Sequence, residues 1–107
     1  MTQPAPDSTL SFRDFQDLIR ERYYATDFAR GPAGTFLWLM EEVGELATAL
    51  QDNGPGREPT PEQRANLEEE FADVLAWLTT LANITDVDLT EALRKYTGAG
   101  GPKGVKH

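Results

Sequence analysis

The sequence predicts an all-α protein, a subunit of four helices in one domain. Apolar residues recur at three- and four-residue spacing through most of the chain. Clusters of glycine and proline cut that pattern into helix-length stretches. No stretch alternates apolar and polar residues as a half-buried strand would.

Residues 1–10 carry prolines and no periodicity and are expected to form a loose tail. Ser11 with Asp14 resembles a capping box with Asp in place of Glu. Phe12, Phe15, Leu18, Ile19 and Tyr23 then mark the apolar face of a first helix. Gly31, Pro32 and Gly34 predict a loop. A second helix is expected over Thr35 to Asp52, stopped by Asn53-Gly54-Pro55-Gly56. Thr60 before Pro61 is an N-cap followed by proline at the first helical position. The third helix runs from Pro61 to Ile84. Asp88 with Glu91 opens a short fourth helix to about Tyr96. Gly98, Gly100, Gly101 and Pro102 end it. The expected domain is 11–97, and 98–107 is a second tail.

The chain has 107 residues, of which 39% are hydrophobic and 26% charged, the balance of a soluble domain. The longest apolar run, Phe36 to Met40, is far too short to span a bilayer. No basic segment leads into an apolar run at the N-terminus, so no signal peptide is expected and the cytoplasm is the default compartment. The absence of cysteine excludes disulfides, thiolate metal sites and thiol catalysis. A net charge of −8 argues against binding polymeric nucleic acid. A small phosphorylated ligand remains open, because divalent cations bridge carboxylates and phosphates.

The chemistry lies in the acids of the second and third helices. Acids on a helix usually form a solvated face, but three features point elsewhere. At about 100° per residue, with Glu42 at zero, the apolar residues of the second helix fall between about 40° and 160°, and Glu45 near −60°. With Glu70 at zero, those of the third fall between about 20° and 140°, and Asp73 near −60°. Each helix thus has one acid at the edge of its apolar stripe and another on the same flank. In an antiparallel hairpin the two pairs face each other. They also match in height, roughly 13 Å before the hairpin loop and 16 Å after it. Carboxylates gathered there repel one another unless divalent cations neutralise them. All-oxygen ligation suits Mg²⁺ or Mn²⁺ rather than zinc.

Glu42-Val43-Gly44-Glu45 and Glu70-Phe71-Ala72-Asp73, with twenty-four residues between them, resemble the ExxE…ExxD signature of the MazG-like all-α nucleoside triphosphate pyrophosphohydrolases. Leu81-Ala82-Asn83, and the segment from Asp88 to Tyr96, are similar to later words of that family. The resemblance covers about Thr35 to Tyr96. It implies Mg²⁺-dependent hydrolysis of a (deoxy)nucleoside triphosphate to monophosphate and pyrophosphate, in the service of nucleotide-pool cleansing. It implies Glu42, Glu45, Glu70 and Asp73 as metal ligands and Glu41 as general base, where the alternative for Glu41 is a solvated acid. It also implies a homodimer or homotetramer. Many short members carry cysteines after the last helix; Thr97 to Lys103 has none.

Other positions keep two readings. Trp38, one turn before Glu42, lies near −40° on the acid flank and can stack a base, or belong to the core or an interface; Trp77 faces similarly. Lys95 and Tyr96 can hold phosphate or base, or lie on the surface. Asn83 can contact nucleotide or bond the helix end. His107 carries no assignment. The third helix outruns the second by roughly a third, leaving Trp77, Leu78, Leu81 and Ile84 for a partner subunit. Set against the enzyme is a non-catalytic helical interaction or regulatory protein that binds nucleotide on the same scaffold.

Overall fold

The computed structural model describes residues 9–98. Residues 1–8 and 99–107, the bulk of the two expected tails, lie outside the described residues. The elements are α1 (Phe12–Asp52), α2 (Pro61–Ile84), α3 (Leu89–Ala92) and α4 (Arg94–Thr97), with no strand among the described residues.

Helix α1 starts as expected. The Ser11 hydroxyl accepts from the Asp14 N–H at 3.0 Å, and the Ser11 N–H donates to the Asp14 carboxylate at 3.2 Å. The loop expected at Gly31, Pro32 and Gly34 shrinks to a one-residue kink. Only Gly31 leaves helical geometry, at φ 82° and ψ 170°. A residue without a Cβ adopts that region far more readily than any other. Pro32 follows at the first position of the renewed helix, where its missing N–H is harmless. The second half of α1 therefore begins three residues before Thr35. Gly34 is helical and makes room for a neighbour: a Cβ there would come within 2.9 Å of Arg30 Cγ.

The hairpin between α1 and α2 is pinned by Asn53. Its amide donates to the carbonyls of Ala49, at 2.8 Å, and Gln63, at 3.3 Å, while its oxygen accepts from Arg64 at 3.1 Å. Thr60 and Gln63 form a full capping box on α2, and Pro61 opens it. Beyond α2 the expected single fourth helix is two separate turns. Asp88 caps α3 by accepting from the Thr90 and Glu91 N–H groups, but the Glu91 side chain turns to Arg94 instead of back to the cap.

The second half of α1 runs antiparallel to α2: Trp38 stacks on Trp77 and Asn53 reaches Gln63. Beyond the kink, the first half of α1 meets the C-terminal part of α2, where Ile19 and Tyr23 share a cavity with Ala76 and Thr80. At the far end Gln16 and Asn83 exchange hydrogen bonds in the interior. Ile84, expected to await a partner, is already buried within this subunit.

The apolar stripes are only half used. Along the second half of α1 the buried or half-buried residues include Thr35, Leu39, Glu42, Leu46 and Ala49. Phe36, Met40, Val43 and Leu50, further round the same stripe, are exposed. On α2, Leu67, Glu70, Val74 and Trp77 turn inward, whereas Phe71, Leu75 and Leu78 face out. Each helix is thus rotated about its axis towards its acid flank. That rotation carries Glu42 and Glu70 into the seam and turns an apolar face outward.

Candidate functional site

Ligand atoms of Glu42, Glu45 and Glu70 all lie within 4.8 Å of one another. The first two come from adjacent turns of α1, and the third from α2 across the seam. Glu42 and Glu70 are half-buried and Glu45 is exposed. Asp73, the fourth expected ligand, stands outside this trio, but its charge reaches both Glu42 and Glu70.

The cost of gathering these acids is visible in their protonation. Glu42 is pushed up to about 7, first by burial, then by its hydrogen bond with the Glu45 carboxyl and by the charges of Glu45, Asp73 and Glu70. Glu70 is raised as well, again chiefly by burial, then by the charges of Glu45 and Asp73, the Glu45 hydrogen bond and Glu69. Glu42 Oε2 and Glu70 Oε2 are both buried and have no hydrogen-bond partner. Buried carboxylate oxygens are normally satisfied. Two unpartnered ones in a three-carboxylate cluster fit a hard divalent cation, which takes oxygen ligands.

One turn from the acids, Trp38 and Trp77 stack across the seam with ring centroids 6.0 Å apart and planes 12° apart. Trp77 also forms a wall of a cavity of about 300 Å³, with Ile19, Tyr23, Ala76, Asp27 and Arg30. Within it Arg30 is held three ways. It donates to Asp27 Oδ1 at 3.2 Å and to Thr35 Oγ1 at 3.2 Å, and its guanidinium lies over the Trp77 ring at 4.9 Å. Asp27 is only 4% exposed, and its Oδ2 has no partner.

The other expected residues are dispersed. Glu41 is exposed beside Glu42 and outside the trio. Trp38 packs on Trp77 beside the acids. Asn83 is buried at 2% exposure and bonded to Gln16, which also donates to the Val87 carbonyl and accepts from the Leu89 N–H. That network ties α1 to the segment after α2. Lys95 and Tyr96 are exposed on α4, the ammonium 5.6 Å from the ring centre. Asp27 and Arg30 were not expected. An acid and a base three residues apart before a Gly-Pro pair read as a surface ion pair, and the one hint was that Asp27 continues the stripe of Gln16, Ile19 and Tyr23.

Comparison with known proteins agrees with this architecture. The chain belongs to the MazG family: the model of the MazG nucleotide pyrophosphohydrolase domain matches residues 30–98. Over 66 residues, 58% of this chain, it is 44% identical to dCTP pyrophosphatase 1 of Mus musculus and of Homo sapiens. It is 38% identical over 65 residues to the dATP/dGTP diphosphohydrolase of Cyanophage S-2L. The match spans 39% of the mammalian proteins and 50% of the phage protein.

Proposed function

We propose that this chain is a divalent-metal-dependent pyrophosphohydrolase that converts a (d)NTP and water to the monophosphate and pyrophosphate. The observation that carries the reading is the pair of unpartnered buried oxygens on Glu42 and Glu70, from two helices, in one cluster with Glu45. Glu42, Glu45, Glu70 and Asp73 hold the cation, with Mg²⁺ the expected ion and Mn²⁺ a substitute. When bound, the cation supplies positive charge that offsets the carboxylates and the triphosphate and favours departure of pyrophosphate. Water oxygen bonds to the α-phosphorus, the bond from that phosphorus to the bridging oxygen of the β-phosphate breaks, and its electron pair leaves with pyrophosphate. Glu41, exposed beside the cluster, accepts the proton of the attacking water. The relatives named for dCTP and for dATP/dGTP support a deoxynucleotide substrate.

The outward apolar face of Phe36, Met40, Phe71, Leu75 and Leu78 supports a homodimer or homotetramer of this unit, taken as residues 11–97. Burying such side chains is worth about 1.5–3 kcal/mol each. No described helix is long and apolar enough to cross a membrane. A cytoplasmic pool of nucleotides is the proposed setting, with no polymeric nucleic acid or membrane as partner. The substrate-facing roles proposed for Trp38, Asn83, Lys95 and Tyr96 rank below that of the acids, because none of the four joins the carboxylate trio.

The test is pyrophosphate release from a panel of nucleoside triphosphates with Mg²⁺, with products read by phosphorus NMR. Monophosphate and intact pyrophosphate are expected. Diphosphate and orthophosphate would overturn the proposed reaction. Nucleotide binding without any turnover would favour the non-catalytic regulatory protein.

A further inference from the structure

We propose that Arg30 is a positioning residue for the carboxylate site: its side chain clamps the α1 kink and sets the register in which Glu42 meets Glu70. The proposal deepens the metal reading above and rests on it for one of its two tests. Four observations lead to it.

The first is reach. The guanidinium donates to Asp27, before the kink, and to Thr35, beyond it, each at 3.2 Å, and its central carbon lies 4.9 Å from the centre of the Trp77 ring on α2. One side chain thus holds both halves of α1 and the neighbouring helix. A planar fork of fixed donors can do this, whereas the compact ammonium of lysine cannot. The second is where the clamped residues stand. Thr35 precedes Glu42 by seven residues, and Trp77 follows Glu70 by seven. That separation is two helical turns, about 10 Å, and returns to within ~20° of the same face. Thr35 is fully buried, so it cannot shift without moving the inward stripe that carries Glu42. Trp77 in turn stacks on Trp38, one turn before Glu42. Arg30 therefore touches, on each helix, a residue in line with an acid of the site.

The third is the space kept for the arginine stem. Gly34 is helical, and a Cβ there would come within 2.9 Å of Arg30 Cγ. Glycine inside a helix is unfavourable, and this one leaves room for Arg30 to fold back over the renewed helix. The fourth is what holds the bend. A Cβ at Gly31 would meet nothing within 4 Å, so no neighbour wedges the kink at that position. The bridge from Asp27 to Thr35 spans it instead. Asp27 is 4% exposed and has one oxygen without a partner. A carboxylate so buried is strongly destabilising once its cation leaves, which keeps Arg30 at the kink.

Gly34→Ala makes a sharp test. Alanine is the better helix former, so a disturbed site cannot be put down to a weaker helix, and the added methyl displaces the Arg30 stem. Arg30→Lys keeps the charge and loses the fork. Arg13→Met, which cuts the separate ion pair with Asp88, is the control for general loosening. Two quantities are read on the full chain. One, in chelator, is the tryptophan exciton couplet in far-UV circular dichroism, since the chain has two tryptophans and they are the stacked pair. The other is the affinity for Mn²⁺ alone, from the electron paramagnetic resonance signal of the free ion. Gly34→Ala and Arg30→Lys should each lose most of the couplet and raise the Mn²⁺ Kd about tenfold, the low end for groups that orient metal ligands without touching the metal. Arg13→Met should melt lower and change neither. The proposal is overturned by a wild type without a couplet, by an unchanged couplet or Kd in Gly34→Ala, or by equal changes in Arg13→Met. If Arg30→Lys does not fold, Gly34→Ala decides alone. A wild type that binds no Mn²⁺ removes the metal reading instead, and the couplet then decides the clamp.

Discussion

Trp38 and Trp77 stack across the seam of α1 and α2 with planes 12° apart, Trp38 one helical turn from Glu42 and Trp77 two turns from Glu70. The contact fixes rotation and height together. If either helix turned back to bury its full apolar stripe, the rings would part and Glu42 and Glu70 would leave the seam. The aromatic pair and the seam carboxylates are thus joint outcomes of one rotational choice, made at the expense of the full apolar stripe.

The stack should be measurable as a coupling. Trp38→Leu and Trp77→Leu, alone and combined, are compared by urea denaturation in chelator. A coupling of about 0.5–1.5 kcal/mol is expected for an aromatic pair beyond simple burial. Additive losses would mean that the rings do not meet in solution.

The carboxylates should trade stability against activity. Glu42→Gln, Glu70→Gln and Asp73→Asn are each expected to abolish most pyrophosphate release with Mg²⁺. In EDTA the first two should melt above the wild type, because an amide removes one charge from a buried like-charge cluster. Added Mg²⁺ should raise the wild-type melting temperature by mass action and raise that of Glu42→Gln much less. Wild-type rates in all three variants, or full activity in EDTA, would refute the assignment.

Much of this arrangement was legible in the sequence. Ser11, Thr60 and Asp88 were readable as caps because capping depends on a few neighbouring residues, and all three cap helices. The meeting of Glu42 and Glu45 with Glu70 followed from helical periodicity in an antiparallel hairpin, whereas Asp73 lies outside that trio. Three features were not legible. The Gly31 kink looks like a loop because glycine beside proline permits either, and only packing of both halves of α1 on α2 selects the kink. Asn83 looked available to a ligand, but its partner Gln16 is 67 positions away in sequence. Asp27 was missed because its burial depends on a cavity wall supplied by α2.

Gly31 offers a clean backbone test. At φ 82° and ψ 170° a side chain is strained, yet a Cβ there would meet nothing within 4 Å. Gly31→Ala should therefore lose about 1–3 kcal/mol from backbone conformation alone, read as a lower urea midpoint with an unchanged slope. An unchanged midpoint would mean that the kink does not hold this geometry. The same variant should weaken the Arg30 bridge from Asp27 to Thr35, since these residues flank the kink.

Arg13 and Asp88 give the fold a dependence on acid that is separate from the carboxylate cluster. The Arg13 guanidinium donates to Asp88 Oδ2 at 2.8 Å, joining the start of α1 to the cap of α3. The hydrogen bond to Arg13 is the largest cause holding Asp88 below its ordinary value of 3.8, helped by the Glu91 N–H, the Arg13 charge and the Thr90 N–H against the opposing effect of burial. A depressed carboxylate stabilises the fold fully above its unfolded value, and the stabilisation is lost as pH falls through the lower folded value. Asp88→Asn keeps an oxygen for the cap, since Asn caps helices as well as Asp does, but loses the ion pair. The variant should melt below the wild type at pH 7, and the gap should close as pH is lowered from 4 towards 2. Both partners are partly exposed, so the gap at pH 7 should be small and should narrow with added salt. A gap that persisted at pH 2 would assign the loss to the cap on Thr90 and Glu91 rather than to Arg13.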